Sequence, residues 1–464
     1  MIELSAREIS EAVSAVWTVG NVEGVSISGV SIDSRDVSAK NLFVAIKGET
    51  HDGHSFIGDV IRKGVKAIIV DKDYRSAAEY DDCVLIVVRD TLKALQDLAA
   101  SWYSRFSVRS VAVTGTNGKT TTKEMIADVL STKYRTFRTL GNFNNQYGVP
   151  LSIFKMGGSY EVAVFEFGMS TPGEIRTLTR IIQPEYGLIT NIDAAHLETM
   201  LSIDAIANAK FELFDNMPAD GTAIMNLDNA YLRKRFDTET LRKVGFGIKD
   251  SSGYSLKQYS FNGTGRARFE VEGSGEIHLP VPGIHNLYNA LAAATVGHLF
   301  DIPPASMKSA LEAFKPVDMR METSIISGVT LINDAYNANP ASMQYALDTL
   351  SGISSTGKKY AVFGDMFELG TNQEEYHRRV GGYAAKQPPD YLVTSGHLAK
   401  HIADGASEGG FPSERLRHFP EVSDLIAHLL DCLRPGDTVL IKASRGMQFD
   451  RIATALKSLI GRNN

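Results

Sequence analysis

At 464 residues the chain is too long for one ordinary core and has the length of about three domains. Its hydrophobic fraction of 43% and charged fraction of 22% are those of a soluble globular protein. A formal net charge of -6, with no basic run, argues against a nucleic-acid partner, because phosphate-backbone binding requires a basic face. Cys83 and Cys432 stand far apart, which excludes a disulfide scaffold and any four-cysteine zinc site; both are expected as small buried hydrophobes in a reducing compartment. The start of the chain reads as charged and helical rather than as a signal peptide. No apolar run approaches the roughly 18 residues of a membrane span, so the expected location is cytoplasmic.

Residues 1–85 alternate short apolar strands with turns: Ser26–Ile32, Asn41–Ile46, a helix near Ser55–Lys63 and the strand Ala67–Val70. They are expected to form a small α/β unit. A helix over Thr91–Tyr103, apolar at Leu92, Leu95, Leu98, Ala99 and Trp102, opens a central unit over 86–313. There strands and helices alternate: Glu161–Phe167, a helix after Pro172, Tyr186–Thr190, a helix over Ile203–Asp215, Thr222–Asn226, and an Ala-rich helix from Asn286 to Leu299. That rhythm predicts an α/β fold with a mostly parallel sheet and helices on both faces. Residues 242–280, rich in Gly and Ser, read as an antiparallel β insertion. Phe314–Arg320 reads as a linker into a third unit, 314–464, with strands at Val329–Ile332, Tyr360–Phe363, Tyr391–Thr394 and Asp437–Ile441. Each apolar run ends in polar or Gly residues, so ligand groups are expected at the strand C-terminal ends.

The most informative stretch is Val111–Ile126, where an apolar strand runs into a glycine-bounded turn and then a helix. Backbone N–H groups of the turn Gly115-Thr116-Asn117-Gly118-Lys119-Thr120-Thr121 and the positive end of the helix converge on one spot suited to phosphate oxygens. Lys119 would neutralise the outer phosphates and the Thr120 hydroxyl would ligate Mg²⁺. The loop is shorter than the common P-loop, with Val113 where that pattern has its first glycine.

Glu166 and His196 follow two predicted strands whose ends converge on this loop, where they could ligate one or two Mg²⁺ ions bridging ATP phosphates; alternatively His196 is a loop histidine capping a turn. Lys210, within a predicted helix, reads as a solvated helix-face lysine. An ammonium cannot ligate a metal, and Lys210 would do so only as a carbamate. The loop Gly141–Gly148 carries Asn142, Asn144 and Asn145 and either offers neutral donors and acceptors to a sugar or peptide, or is a plain Asn-rich turn. Arg35, Lys47 and the two histidines His51 and His54 lie beside strand ends and either hold a diphosphate or form exposed loop. Asp334-Ala-Tyr-Asn337-Ala-Asn339-Pro-Ala-Ser342 follows a strand and precedes a helix whose N-cap is expected at or near Ser342. Gly364–Gly370 and Lys442–Gly446 add charged groups after two more strands.

Together, Thr114–Thr121, Glu166, His196, Ala209–Glu212, His285-Asn286 with Asn289, Arg320 and the Asp334 turn resemble the Mur ligases of peptidoglycan synthesis over nearly the whole chain. The resemblance implies three domains: a small α/β N-terminal domain for the UDP substrate, a central P-loop-type ATP domain, and a Rossmann-like C-terminal domain for the incoming group. The Asp334–Pro340 turn is similar to that of the members that add a dipeptide; members adding diaminopimelate or lysine carry an Asp-Tyr-Ala-His-Thr-Pro-like turn there. The implied activity is ATP-dependent joining of D-alanyl-D-alanine to UDP-N-acetylmuramoyl-tripeptide through an acyl phosphate, with addition of a single amino acid to a dipeptide as the near rival and a non-catalytic ATP-binding switch as the distant one.

Residue by residue, the resemblance implies Gly115–Thr121 on the ATP phosphates, Thr120 and Glu166 on one Mg²⁺, and His196 with carbamylated Lys210 on a second. It places Asn286 near adenine, and Arg320 and Asp334 on the γ-phosphate and ribose. Ser34, Arg35 and Lys47 fall to the uridine diphosphate, Asn142, Asn144 and Asn145 to the muramoyl peptide, and Asn337 and Asn339 to the dipeptide. A monomer is expected. Ala443 and Asp450 stand where the family has Gly and Glu.

Overall fold

The computed structural model describes residues 2–48, 51–74, 83–250 and 252–460. Glu49 and Thr50 of the predicted Lys47–His54 loop lie outside the described residues.

Among the described residues the first unit holds a five-stranded sheet in the order Trp17–Val19, Val84–Val88, Ala67–Asp71, Asn41–Val44, Gly29–Ser31, parallel except for its first strand. The predicted Ser26–Ile32 run is split at Ser28, its first half pairing with Leu4–Ser5 in a separate two-stranded ribbon. The expected boundary at 85/86 falls inside Val84–Val88, a run of five buried residues next to the centre of the sheet. Such a continuous apolar run has no alternation, so periodicity does not mark it.

Thr91–Tyr103 is helical as expected, with Asp90 accepting from the Lys93 backbone N–H at 2.9 Å as the N-cap. Its buried face, Leu95, Leu98, Ala99 and Trp102, belongs to one continuous core with Val84 and Ile86 on one side and Phe165, Ile175 and Leu213 on the other. The first and central units are therefore joined by shared apolar packing.

The central sheet has seven parallel strands in the order Tyr254–Ser255, Arg242–Gly247, Thr222–Asn226, Tyr186–Ile189, Arg109–Thr114, Val162–Glu166, Thr136–Arg138. The strand leading into the glycine turn sits between Tyr186–Ile189 and Val162–Glu166, with Glu166 in register with Val113 and Ile189 with Thr114. This brings the ends of both neighbours to the turn. The segment 242–280 differs from expectation: Arg242–Gly247 and Tyr254–Ser255 extend the parallel sheet, and only Gln258–Phe261, Arg266–Val271 and Gly275–Pro282 form the antiparallel insertion.

The third unit carries six strands in the order Glu322–Ile326, Val329–Asn333, Thr438–Lys442, Lys359–Gly364, Tyr391–Ser395, Leu416–Phe419, parallel except for the first. The helix expected from Ser342 begins at Pro340. Its N-cap is Asn339, whose side chain accepts from Ser342 N, while Ser342 Oγ accepts in return from Asn339 N. Ser342 is thus the reciprocal partner in a capping box, which explains why it stood out as a cap. Cys83 is buried as expected, whereas Cys432 is only half-buried at a helix end.

Candidate active site

The central and third units meet around a cavity of about 810 Å³, lined by the turn after Thr114, by Glu166, His196 and Asn286 on one side, and by Arg320, Asp334, Asn337 and Asn339 on the other. Its walls are strand C-terminal ends, as the sheet topology requires.

The turn is shaped from below. Gly115 (φ +149) and Gly118 (φ +79) lie in the left-handed half of backbone space, and a Cβ on them would stand 1.9 Å from Thr190 Oγ1 and 2.4 Å from Asn289 Oδ1. The next strand's end holds the turn: Thr116 N donates to Asn191 O at 2.9 Å, Asn117 N to Asn191 Oδ1 at 2.9 Å, and Thr190 Oγ1 to Asn117 O at 2.6 Å. Asn289 accepts from Thr122 Oγ1 at 3.1 Å, fixing the start of the following helix. Thr190 and Asn191 were not singled out from the sequence; their signal is their position at the end of the strand paired with the turn's own.

Lys119 folds back, donating to Gly115 O at 2.8 Å and Thr116 O at 3.1 Å. Its side chain is partly open to the cavity but enclosed on a wider scale. Burial lowers its pKa below the usual lysine value; Glu166 opposes that and Arg320 adds to it.

Two oxygens in this wall have no hydrogen-bond partner among the described residues: Thr120 Oγ1 and Glu166 Oε2, both buried. The other Glu166 oxygen accepts from Asn144 Nδ2 at 2.8 Å. Leaving buried oxygens unpaired is costly. A hydroxyl and one carboxylate fit Mg²⁺, which keeps few protein ligands and completes its octahedron with water and phosphate oxygens. No cluster of three or more His, Cys, Asp or Glu able to hold a metal is found among the described residues.

Lys210 overturns its expected solvated position. It is 3% exposed in the helix Ile203–Asp215, and burial, followed by repulsion from Lys119, holds its pKa well below the usual value. That helix keeps an exposed row through Asp204, Asn208 and Asp215, and Lys210 lies on the opposite side, in the buried row with Ile206, Ala209 and Leu213.

His196 lines the cavity with φ +52, and its Nδ1 lies 2.5 Å from Glu368 Oε2 of the third unit. Asn286 is buried in the wall with its amide engaged by Pro282 O at 2.7 Å and Asn289 Nδ2 at 3.1 Å. Asp334 is bound by Lys442 Nζ at 2.5 Å and Met321 N at 3.1 Å, leaving lone pairs for a further donor. Lys442 also donates to Asn337 O at 3.0 Å, so this buried lysine holds the whole turn. The Arg320 guanidinium lies 4.0 Å from the centre of the Tyr336 ring, and its Nε is buried without a partner among the described residues.

Asn144 and Asn145 line the cavity, although Asn145 Oδ1 is occupied by Tyr147 N and Gly148 N at 3.2 and 2.9 Å; Asn142 is exposed and outside the lining. Ser34, Arg35 and Lys47 also lie outside it. Arg35 is paired with Asp33 at 2.7 Å on the surface, and Lys63 Nζ donates to Ser34 O at 2.7 Å. Of the two histidines nearby, His54 is committed to the fold between Asp52 and the Asp71 backbone N–H.

Comparison with known proteins agrees with this architecture. The family models described as Mur ligase family, catalytic domain, Mur ligase middle domain, and Mur ligase, glutamate ligase domain match residues 26–103, 113–297 and 319–445. The chain belongs to the Mur ligase family. Its relatives include the UDP-N-acetylmuramoyl-tripeptide--D-alanyl-D-alanine ligases of Bacillus subtilis, 37% identical over 98% of this chain and 99% of that one, and of Escherichia coli, 32% identical over 94% and 96%. Among solved structures it is similar to MurF from Acinetobacter baumannii, with a TM-score of 0.89 and 26% identity over 98% of this chain and 99% of that one. It is also similar to MurF ligase from Thermotoga maritima in complex with ADP, at 0.82 and 29% over 94% and 98%.

Proposed function

We propose that this protein joins D-alanyl-D-alanine to the C-terminal carboxylate of UDP-N-acetylmuramoyl-tripeptide at the expense of ATP, giving the UDP-muramoyl-pentapeptide of peptidoglycan synthesis. The observation that carries the reading is the meeting, in one cavity, of the phosphate turn with the Asp334–Pro340 turn, joined by the amides of Asn117 and Asn339. The relatives named for this reaction match almost the whole chain.

A carboxylate does not accept an amine at neutral pH. Its oxygen therefore attacks the γ-phosphorus first, the bond to the ADP oxygen breaks, and an acyl phosphate results. The dipeptide amine then attacks the acyl carbon, phosphate leaves, and the amine loses a proton. Lys119 and Arg320 offset the repulsion between the anionic carboxylate and ATP. Thr120 and Glu166 would hold one Mg²⁺ and His196 with carbamylated Lys210 a second, and the cations would supply positive charge against the phosphate oxygens. Burial favours the neutral Lys210 amine, the form that combines with CO₂ to give a carbamate and a proton. Closure of the units around the cavity keeps water from the acyl phosphate.

On this reading the first unit, with Ser34, Arg35 and Lys47, takes the uridine diphosphate, and Asn144 with its neighbours faces the muramoyl peptide. The third unit, through Asn337 and Asn339, takes the dipeptide. The protein acts as a cytoplasmic monomer; no helix of the described residues is long and apolar enough to cross a membrane. The test is phosphate release from ATP and Mg²⁺ with UDP-muramoyl-tripeptide, with and without D-Ala-D-Ala, and the product weighed by mass spectrometry. Dipeptide-dependent release of phosphate and formation of pentapeptide is the expected result. Transfer of a single amino acid to a UDP-muramoyl-dipeptide, or no turnover with any acceptor, overturns it.

A further inference from the structure

Two non-glycine residues with left-handed backbones meet across the boundary between the central and third units. His196 (φ +52) follows the strand Tyr186–Ile189, and Glu368 (φ +61) follows the strand Lys359–Gly364. Their side chains touch at 2.5 Å through Nδ1 and Oε2, and the Glu198 backbone N–H donates to Glu368 O at 3.2 Å. Gly370 (φ +67) completes the turn so close to the partner segment that a Cβ there would stand 3.2 Å from Leu197 O. Left-handed backbone is unfavourable for residues with a Cβ and persists where surrounding structure demands it. Here two such residues present their side chains to each other.

The chemistry of the contact is directional. An ionised carboxylate has no hydrogen to give, so Nδ1 carries the proton and donates it. In the neutral ring that leaves the Nε2 lone pair, on a residue that lines the cavity, available to a cation. A carboxylate behind a metal-binding imidazole fixes both the tautomer and the orientation of the ring. In this protein that carboxylate belongs to a different unit from the histidine.

We propose that Glu368 is a positioning residue: arriving on the third unit, it sets the tautomer of His196 on the central unit, so that the cation site containing His196 reaches full affinity only when the two units are docked. The inference rests on the reading of His196 as a Mg²⁺ ligand. Glu166 and Thr120 lie on the central unit alone, so the first cation site forms without this contact.

The experiment uses the full chain, Mn²⁺ as probe in place of Mg²⁺, and a non-hydrolysable ATP analogue. Histidine side-chain ¹⁵N spectra at pH 8 without metal are expected to show His196 protonated at Nδ1, and Glu368→Ala to shift it toward the Nε2-protonated form. With the analogue bound, Glu368→Ala should weaken the second Mn²⁺ by about tenfold or more and leave the first unchanged. Glu368→Gln, which keeps an acceptor oxygen, should recover most of both signals and covers the case in which the alanine variant folds poorly. An unchanged tautomer and unchanged Mn²⁺ affinities in Glu368→Ala overturn the proposal. The control His196→Ala should abolish the second Mn²⁺; if it leaves both ions in place, the ligand reading of His196 fails, and this inference with it, whatever the metal-free tautomer shows.

Discussion

Asn339 caps the helix Pro340–Gly352 through its Oδ1 and at the same time donates through Nδ2 to Asn117 Oδ1 of the phosphate turn at 2.8 Å. One amide thus terminates a helix in the third unit and grips a loop in the central unit. The two roles separate by substitution. Asn339→Ser keeps a capping oxygen on a side chain too short to bridge; it should melt like the parent but lose about five- to tenfold in kcat/KM, the worth of one neutral hydrogen bond. Asn339→Ala should show the same kinetic loss plus about 1 kcal/mol of stability. Asn117→Ala should lose a similar kinetic factor and add little to Asn339→Ser, since both remove the same bond; fully additive losses in this cycle contradict the shared contact.

Gly115 and Gly118 combine left-handed backbone with neighbours closer than any Cβ allows. Alanine at either should destabilise the protein by about 1–3 kcal/mol and weaken ATP binding by at least about a hundredfold, measured by calorimetry. Gly141 is the control. Its φ is +50 but nothing lies within 4 Å of the added Cβ, so Gly141→Ala should cost only the about 1–2 kcal/mol of its left-handed backbone and leave ATP affinity intact.

His285 has its Nδ1 buried without a partner among the described residues, and burial lowers its pKa to about 4, against the pull of Asp334 and with the push of Lys442. His377 is fully buried, accepting from Met366 N and donating to Gln373 O, and its pKa is also lowered by burial. The unfolded chain takes up these protons near pH 6.5 and the folded chain does not, so stability is complete above that pH and falls as pH drops toward 4. His285 alone accounts for at most about 3 kcal/mol over that interval. His285→Gln should flatten the acid limb of a denaturant-midpoint profile between pH 6.5 and 4; an unchanged limb refutes the assignment.

Lys210 gives the opposite end of the profile. With a folded pKa far below that of the unfolded chain, it is a liability whenever the unfolded chain binds the proton, so the ligand-free protein should gain stability as pH rises toward 10.5. Lys210→Met removes the buried amine at nearly constant volume. It should raise the melting midpoint at pH 7 without nucleotide or CO₂ and reduce the alkaline gain, while removing ligase activity; a lower midpoint would count against the burial argument.

What was legible in the sequence was local. The helices Thr91–Tyr103 and Ile203–Asp215 follow from apolar spacing, and the turn at Gly115–Thr121 from its glycines between strand and helix. Glu166 follows from the parallel arrangement, which brings the end of its strand beside that turn. What escaped depends on tertiary packing: Arg242–Gly247 joins the central sheet by pairing with Thr222–Asn226, and Lys210 is buried because the row of its helix with Ile206 and Leu213 packs inward while Asp204, Asn208 and Asp215 face out. The contact between His196 and Glu368 spans 172 positions. Nothing in either segment alone announces the other.

The folded-back Lys119 changes what nucleotide binding means energetically. Its ammonium satisfies two carbonyls of its own turn. On the proposed function the incoming phosphates must win that ammonium from Gly115 and Thr116, so binding is an exchange of partners and its free energy is the difference between two cradled states. Substitutions that weaken the hold of those two carbonyls on Lys119 would therefore shift the balance toward the nucleotide-bound arrangement.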